Sequence, residues 1–437
     1  MESNIKYKFS KFNFFFKDKE NKHILYNSST GVLASLDDSN FRKLNEFIQG
    51  KNNGLDHKVL DNLIKTRFII KDDIDELKEF KIAQAIRKFK TNELILNIIP
   101  TMDCNFRCRY CYQHDRNPQR MDQLIQDSII RAVENRGNIL SKLTVMWYGG
   151  EPLLTMDIIE HLSRNFMRLS KKHNFDYYAN ISTNGFLLSK DVIKKLLNYK
   201  VKEYQISFDG PPKTHNQRRI HKDGSPTFDR VFNNLKIFQE FKDDFQASIR
   251  IHFDTSNVDE INQLLEIFSR QFSDDRRFKI YFQHYHSMNE ATIKKCGFGP
   301  PPAEKIPEII MKLYRSAVEK GLNVSIPTRT TPRFFYCEAE LNYYYLINYN
   351  GDILACVHTL DPKSKIGEVT QTGDLKISHE KRTPWLTKDP LEEEKCRKCN
   401  LLPLCSGGCA YQKVFHNNIK CLRIKPNFKK ILNLLIQ

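Results

Sequence analysis

Residues 94–111, which read LILNIIPTMDCNFRCRYC, decide the fold. Leu94–Ile99 is a mostly apolar run of the length of a buried strand, and Pro100 ends it. The loop that follows carries Cys104, Cys108 and Cys111 in a C-x3-C-x2-C spacing. Three thiolates on one short loop can hold three irons of a cubane cluster and leave the fourth iron open to a chelating ligand. A structural zinc site, with His114 as a fourth ligand, is the alternative.

Strand-like and helical stretches alternate around this loop. The predicted strands are Leu94–Ile99, Leu143–Tyr148, Tyr177–Ser182, Tyr204–Phe208, Ser248–Phe253 and Phe278–Gln283. The predicted helices between them lie near Leu124–Arg136, Ile158–Leu169, Lys190–Leu197, Phe228–Phe241 and Val258–Gln271. This alternation indicates an α/β fold with a parallel sheet, and six such units predict a partial (β/α)6 barrel of the TIM type. In such barrels the functional groups lie at the carboxyl ends of the strands.

Polar motifs follow the next three predicted strands. They are Gly149-Gly150-Glu151-Pro152, Ser182-Thr183-Asn184-Gly185 and Ser207-Phe208-Asp209-Gly210, and a basic pair, Arg218-Arg219, comes shortly after. Glycine lets a backbone approach a ligand closely, and a carboxylate can pair with an ammonium group. A simple turn, a strand-end cap or a surface charge is the alternative for each motif taken alone.

The cysteine loop, with Tyr110 before its last cysteine, and the Gly-Gly-Glu-Pro motif resemble the radical S-adenosylmethionine (SAM) superfamily. The resemblance implies that the three cysteines hold a [4Fe-4S] cluster whose open iron chelates SAM. Electron transfer then yields a 5′-deoxyadenosyl radical. The residues implied to contact SAM are Gly149, Gly150, Glu151, Pro152, Ser182, Asn184, Ser207, Asp209 and Arg219. The family usually has His-Asp where this chain has His215-Asn216.

Seven more cysteines lie near the C-terminus. They are Cys337, Cys356, Cys396, Cys399, Cys405, Cys409 and Cys421. Their spacing, with Gly351 before the second, resembles the SPASM domain, which carries two auxiliary [4Fe-4S] clusters. The resemblance assigns Cys337, Cys356 and Cys409 to the nearer cluster and Cys396, Cys399, Cys405 and Cys421 to the distal one. One iron then lacks a thiolate, and its ligand can be Cys296, an acidic residue, water or the substrate. Half of a zinc ribbon is the alternative for Cys396-x2-Cys399.

Residues 1–90 predict a separate unit in which strands precede helices. The predicted elements are strands Phe12–Phe16, His23–Tyr26 and Gly31–Leu36, a turn at Asn52-Asn53-Gly54, and helices near Asn40–Ile48, His57–Thr66 and Asp73–Lys90. This order looks like a winged-helix-type module, which in peptide-modifying relatives binds the leader of a precursor peptide as an added strand. A stabilising extension or a nucleic-acid-binding wing is the alternative. The predicted domains are residues 1–90, 91–325 (the barrel) and 326–437 (the cysteine-rich domain).

Composition limits the location and the partners. Eleven cysteines without an export signal indicate a reducing, cytoplasmic environment and metal-binding thiols. No apolar run approaches the roughly 20 residues that cross a bilayer, so we expect no membrane partner. The net charge of +17 fits an acidic peptide, although a Lys-rich surface explains it equally well. Nucleic acid is disfavoured because no aromatic–basic repeat is found.

The resemblance predicts a maturase that forms a thioether or carbon–carbon crosslink in a ribosomally made peptide, with an electron donor such as flavodoxin or ferredoxin. An anaerobic sulfatase-maturating enzyme, which makes formylglycine, is the first alternative, although such enzymes usually carry the cysteine loop nearer the N-terminus. A non-catalytic chaperone or scaffold and an RNA-modifying enzyme are the others. The sequence singles out no catalytic residue, and Asp254, His284 and His286 are candidates for a general base.

Overall fold

The computed structural model describes residues 6–51, 55–111, 113, 118–285, 296–325, 330–358, 360, 364–418, 421–422 and 425–435. His114, His286 and the predicted turn Asn52-Asn53-Gly54 lie outside these residues. The chain divides into two compact units. The sheet unit contains residues 91–327 and 343–383, and the terminal unit contains residues 1–90, 328–342 and 384–437.

The N-terminal part of the terminal unit begins with strands and continues with helices. The strands are β1 (Tyr7–Phe9), β2 (Asn13–Lys17), β3 (His23–Asn27), β4 (Leu33–Leu36) and β5 (Ile69–Lys71). The helices are α1 (Asp38–Ile48), α2 (His57–Lys65) and α3 (Glu76–Lys88), each begun by an aspartate cap. Strands β2, β3 and β4 form an antiparallel sheet in that order, and β1 pairs with β5. The three predicted strands and the three predicted helices are present, whereas β1 and β5 were not predicted and β5 lies between α2 and α3. The winged-helix identity stays a prediction.

The sheet unit is built on one large sheet. Its strands are β6 (Glu93–Ile98), β7 (Lys142–Trp147), β8 (Asp176–Thr183), β9 (Val201–Phe208), β10 (Gln246–Phe253), β11 (Phe278–His284), β12 (Tyr344–Ile347), β13 (Asp352–Leu354), β14 (Lys365–Val369) and β15 (Leu375–Ile377). Its helices are α4 (Gln123–Glu134), α5 (Met156–His173), α6 (Lys190–Asn198), α7 (Pro212–Arg218), α8 (Phe228–Ile237), α9 (Ile261–Phe272) and α10 (Ile306–Glu319). Strands β6 to β11 are parallel and adjacent in chain order. The parallel α/β sheet is therefore confirmed, and its closure into a partial barrel stays a prediction.

The two faces of this sheet differ in polarity. Along β10 the residues Ala247, Ile249, Ile251 and Phe253 are buried, and the alternate residues are half-buried and polar. Strands β8 and β11 show the same alternation. One face therefore belongs to the apolar core, and the other presents polar side chains.

The region after Thr331, whose sequence has few long periodic segments, adds short strands to this sheet. Strand β12 runs parallel to β6, with Tyr344 opposite Ile95, and β13, β14 and β15 extend the sheet as an antiparallel meander. These strands have three to five residues, too few for their alternation to stand out in the sequence. Residues 343–383 consequently lie in the sheet unit, whereas the rest of the described cysteine-rich segment lies in the terminal unit.

The cysteine-rich segment of the terminal unit shares its core with the N-terminal strands. Its helices are α12 (Glu394–Arg397), α13 (Leu402–Cys405), α14 (Ala410–His416) and α15 (Phe428–Leu435), and α11 (His379–Leu386) precedes them. Phe14 and Tyr26 pack with Leu401 and Phe428, and Phe12 packs near Cys396 in a further cluster. The N-terminal strands therefore supply part of the apolar core of this segment.

In the part of the chain that the structure describes, no helix is both long enough and apolar enough to cross a membrane.

Candidate functional site

The three-cysteine loop and the Gly-Gly-Glu-Pro turn lie against each other at the carboxyl ends of β6 and β7. The Gly150 N–H donates to the Thr101 carbonyl at 3.1 Å, and the Glu151 N–H donates to the Asp103 carbonyl at 2.8 Å. A Cβ at Gly150 would lie 2.0 Å from the Asp103 carbonyl oxygen, which no side chain allows. Glycine is required here because the two backbones touch.

The Glu151 carboxylate is fully buried and braces the end of β8. Its oxygens accept hydrogen bonds from the Thr183 hydroxyl at 2.7 Å, the Asn184 N–H at 2.7 Å and the Leu153 N–H at 3.1 Å. Burial raises the pKa of Glu151, although these donors oppose the rise. Gly149 and Gly150 are half-buried, so their backbone is more accessible than the Glu151 carboxylate.

Asn184 joins the Ser-Thr-Asn-Gly motif to the cysteine loop. Its side-chain amide donates to the Asn105 side chain at 2.7 Å and lies 3.8 Å from the Cys104 sulfur. Asn184 is itself buried, so these contacts are shielded from water. The sequence predicts both motifs, but not this direct link between them.

On its other side the cysteine loop pairs with the segment that ends α7. The Arg107 N–H donates to the Ile220 carbonyl at 2.6 Å, and the Arg109 N–H donates to the Arg218 carbonyl at 3.1 Å. This pairing brings the buried Arg219 near Cys108, where its positive charge favours a thiolate. Burial dominates, however, and raises the pKa of the Cys108 thiol to about 12. A bound metal ion would favour the thiolate form of this sulfur.

Asp209 is the centre of a buried polar cluster beside this loop. Its Oδ1 accepts a hydrogen bond from the Tyr110 hydroxyl at 2.9 Å and lies 3.8 Å from Arg219 Nη1 and 3.6 Å from His252 Nδ1. Burial opposes ionisation, but the contacts with His252 and Arg219 keep the pKa of Asp209 below its ordinary range. Among the described atoms, Asp209 Oδ2 and Arg219 Nε have no hydrogen-bond partner, as expected of groups that await a polar ligand.

The two neighbouring arginines have different partners. Arg218 makes a bidentate ion pair with Asp254 at 2.6 and 3.0 Å, and its guanidinium lies 4.2 Å from the centre of the Phe298 ring. Arg219 instead donates to the Tyr110 hydroxyl at 2.7 Å. Asp254, a candidate for a general base, is therefore engaged in a buried ion pair. His284, another candidate, is buried at the end of β11.

The serines predicted to contact SAM lie on the polar face of the sheet. Ser182 accepts a hydrogen bond from Gln205 at 2.9 Å, and Ser207 accepts one from Arg250 at 3.1 Å. Tyr281 donates to the Gln205 side chain at 2.7 Å. The sequence analysis does not identify Gln205, Arg250 and Tyr281 as site residues. Their alternation with buried residues along β9 to β11 is the pattern that could have indicated them.

The thiols of the three-cysteine loop are a possible donor set for a cubane. Cys104, Cys108 and Cys111 are all half-buried on one short loop. Three thiolates on one loop suit a cubane whose fourth iron stays open to another ligand. The zinc alternative needs His114, which lies outside the described residues, so the choice of a cluster stays a prediction.

Four cysteines of the terminal unit line one cavity. Cys396, Cys399, Cys405 and Cys421 line this cavity together with Lys395 and Lys425. Burial, reinforced by the neighbouring thiols, raises the pKa of Cys396 to about 11. Four converging thiols and two lysines match an anionic cluster with four thiolate ligands.

The remaining cysteines do not form one described group. Cys337 and Cys409 belong to the terminal unit, whereas Cys356, which follows β13, belongs to the sheet unit. Their common cluster stays a prediction. Cys296 is buried in the sheet unit, and its thiol lies 2.9 Å from the Arg109 carbonyl in the three-cysteine loop.

Comparisons with known proteins agree with this geometry. The sequence profile of the radical SAM superfamily matches residues 98–268. The cysteine-type anaerobic sulfatase-maturating enzyme of Clostridium novyi (strain NT) is 23% identical over 369 residues, which cover 76% of this chain and 93% of the relative. Native anSMEcpe with bound AdoMet superposes with a TM-score of 0.57 at 19% identity, over 78% of this chain and 97% of that chain. Streptococcus suis SuiB bound to precursor peptide SuiA gives a TM-score of 0.53 at 17% identity, over 95% of this chain and 98% of that chain.

Proposed function

Because this chain is a radical SAM enzyme, we propose that it matures a ribosomally made peptide by forming a thioether or carbon–carbon crosslink. The precursor peptide is its partner, and flavodoxin or ferredoxin supplies the electron. We place this reaction in the cytoplasm, where thiols stay reduced.

The proposal rests mainly on the N-terminal module, residues 1–90. The similarity to SuiB, solved with its precursor peptide, extends over 95% of this chain, whereas the similarity to anSMEcpe covers 78%. Within this module β4 pairs with β3 alone among the described strands, and Leu33 on it is 40% exposed. An open strand edge suits a leader peptide that adds as a further strand.

In this proposal the residues around the cysteine loop bind and orient SAM. A [4Fe-4S] cluster with chelated SAM supplies a 5′-deoxyadenosyl radical that removes a hydrogen atom from the peptide. The backbone of Gly149 and Gly150 would bind the amino group of SAM, and Glu151 holds this turn against Asn184. Arg219, already near Asp209, has an unpartnered Nε with which to meet the carboxylate of SAM. Pro152, Ser182 and Ser207 complete the proposed contacts.

The thiols of the C-terminal segment are proposed to hold two auxiliary clusters. The cavity lined by Cys396, Cys399, Cys405 and Cys421 supports the distal cluster. Cys337, Cys356 and Cys409 are proposed for the nearer cluster, with one iron left for another ligand. Together with the SAM-binding cluster, these sites should give about twelve irons per anaerobically reconstituted chain. An iron content of about four per chain would contradict both auxiliary sites.

A sulfatase-maturating activity is the second candidate, since the curated relative from Clostridium novyi has that function. In that reaction a Cys or Ser of the target becomes formylglycine. The N-terminal module is what favours the first candidate over this one.

Co-expression separates the two candidates. The chain is expressed without oxygen together with small peptides encoded beside its gene, and each peptide is analysed by tandem mass spectrometry. We expect a peptide that has lost two hydrogen atoms for each crosslink and that no longer fragments between the joined residues. An aldehyde that reacts with a hydrazide probe would support the sulfatase-type reaction instead, and unmodified peptides would contradict the proposal.

A further inference from the structure

Two lysines and one glutamate form a fully buried ionic triad in the terminal unit. Lys388 Nζ lies 2.8 Å from Glu340 Oε1, and Lys88 Nζ lies 3.4 Å from Glu340 Oε2. The exposed fractions of the three side chains are 0% for Lys388, 0% for Glu340 and 3% for Lys88. Such burial of three charges is costly unless every charge is compensated.

The triad is tied to the backbone beside two of the predicted cluster ligands. Lys388 Nζ donates to the Gly408 carbonyl, directly before Cys409. The Glu340 N–H donates to the Cys337 carbonyl at 3.0 Å. Burial raises the pKa of the Cys405 thiol, and the charge of Lys388 opposes that rise. The triad therefore borders cysteines of both proposed auxiliary clusters.

The charges of the triad do not cancel. Two ammonium groups share one carboxylate, which leaves an excess of one positive charge. Burial lowers the pKa of Lys88, and the charges of Glu340 and Asp389 oppose that fall. Asp389 also pairs with Lys81 at 3.0 Å, so these two residues together add no net charge. A [4Fe-4S] cluster with thiolate ligands is anionic and becomes more so on reduction, so a buried positive charge beside it favours the reduced state.

From this arrangement we infer that Lys388, balanced by Glu340 and Lys88, is a positioning residue that sets the reduction potential of the auxiliary clusters. The positive charge makes these clusters better electron acceptors. The 5′-deoxyadenosyl radical takes one hydrogen atom from the peptide, and bond formation releases a second hydrogen as a proton to solvent. The electron left on the peptide passes to an oxidised auxiliary cluster, which is thereby reduced by one electron. The inference rests on the auxiliary clusters of the proposed function.

The test uses two substitutions that change the charge of the triad in opposite directions. Both are made in a full-length chain in which Cys104, Cys108 and Cys111 are alanine, so that only auxiliary clusters titrate. Lys388→Met removes one positive charge, and Glu340→Gln removes the negative charge while keeping the size of the side chain. Lys78→Met, whose side chain is 84% exposed, is the control for net charge. Midpoint potentials are measured by redox titration followed by electron paramagnetic resonance.

We expect Lys388→Met to make the midpoint potential more negative, Glu340→Gln to make it less negative, and Lys78→Met to leave it unchanged. A purely structural role predicts no such opposition of sign, so unchanged potentials, or shifts in the same direction, would overturn the inference. If Lys388→Met fails to fold, the sign of the Glu340→Gln shift decides. Absence of any auxiliary signal in the parent chain, with its iron measured independently, would instead overturn the proposed clusters.

Discussion

The buried carboxylate of Glu151 accepts a hydrogen bond of 2.7 Å from the backbone N–H of Asn184, and the Asn184 side chain in turn reaches the Cys104 sulfur. One carboxylate thus connects the ends of two parallel strands to Cys104, the first of the proposed cluster ligands. The predicted motifs are parts of a single hydrogen-bonded structure.

Glu151→Gln tests this connection. The amide keeps the shape of the side chain but replaces one acceptor oxygen with a donor, so one of the three buried donors loses its partner. We expect the free energy of unfolding to fall by about 2 kcal/mol and SAM binding to weaken. Glu308→Gln, at a carboxylate that is 71% exposed, is the control and should change stability by less than about 0.5 kcal/mol. Equal stability and SAM affinity in Glu151→Gln and the parent chain would refute the bracing role.

Gly150→Ala tests the contact between the two loops. The added methyl group would lie 2.0 Å from the Asp103 carbonyl oxygen, so the cysteine loop has to move. We expect loss of about four irons, because the displaced thiols no longer hold the SAM-binding cluster. Gly224→Ala is the control, since nothing lies within 4 Å of its added carbon and only its φ of +86° costs energy, about 1 kcal/mol. Full iron content in Gly150→Ala would show that the loops do not depend on this contact.

His215→Phe tests a buried neutral histidine. His215 lies 5.0 Å from the Phe208 ring and 5.5 Å from the Phe228 ring, and burial, with the charge of Arg219, lowers its pKa to about 3. As the pH falls below about 6.5, the unfolded chain takes up a proton that the folded chain does not, so stability is lost. In the parent chain we expect the free energy of unfolding to fall as the pH is lowered from about 7.5 to about 5.5. We expect this fall to be smaller by about 1 kcal/mol in His215→Phe.

The control for this experiment is His57→Phe, at an exposed histidine, and denaturant unfolding at both pH values gives the measurement. An equal loss in His215→Phe and in the parent chain would mean that His215 takes up its proton in the folded state as well.

Leu33→Asp tests the proposed leader site on β4. A charge on an exposed edge strand discourages the addition of another strand, and Leu33 is already 40% exposed, so the fold should tolerate it. We expect the Kd for a labelled precursor peptide to rise about tenfold or more, with stability changed by less than about 0.5 kcal/mol. Leu124→Asp, at a leucine of α4 that is 48% exposed, is the control and should leave the Kd unchanged. Equal Kd values for the two variants would place the leader elsewhere.

The sequence predicts the six parallel strands of the sheet closely. The observed β6, Glu93–Ile98, differs by one residue at each end from the prediction, because long apolar runs followed by polar motifs are strong local signals. The short strands β12 to β15 were missed because strands of three to five residues have too little periodicity.

Other features depend on contacts between distant residues. The packing of Phe14 against Phe428 unites the two ends of the chain, and no local pattern indicates it. The different partners of Arg218 and Arg219 follow from the turn that ends α7, where consecutive side chains point to different neighbours. The buried triad of Lys88, Glu340 and Lys388 likewise needs the tertiary structure, since each residue alone reads as a surface charge.

Reductive cleavage of SAM tests the central claim most directly. The anaerobically reconstituted chain is mixed with SAM and dithionite, and 5′-deoxyadenosine is quantified by chromatography. We predict 5′-deoxyadenosine from the parent chain and from Cys296→Ala, and none from Cys108→Ala, which keeps its auxiliary iron. An iron-loaded parent chain that releases no 5′-deoxyadenosine, or a Cys108→Ala chain that releases as much as the parent, would contradict the account.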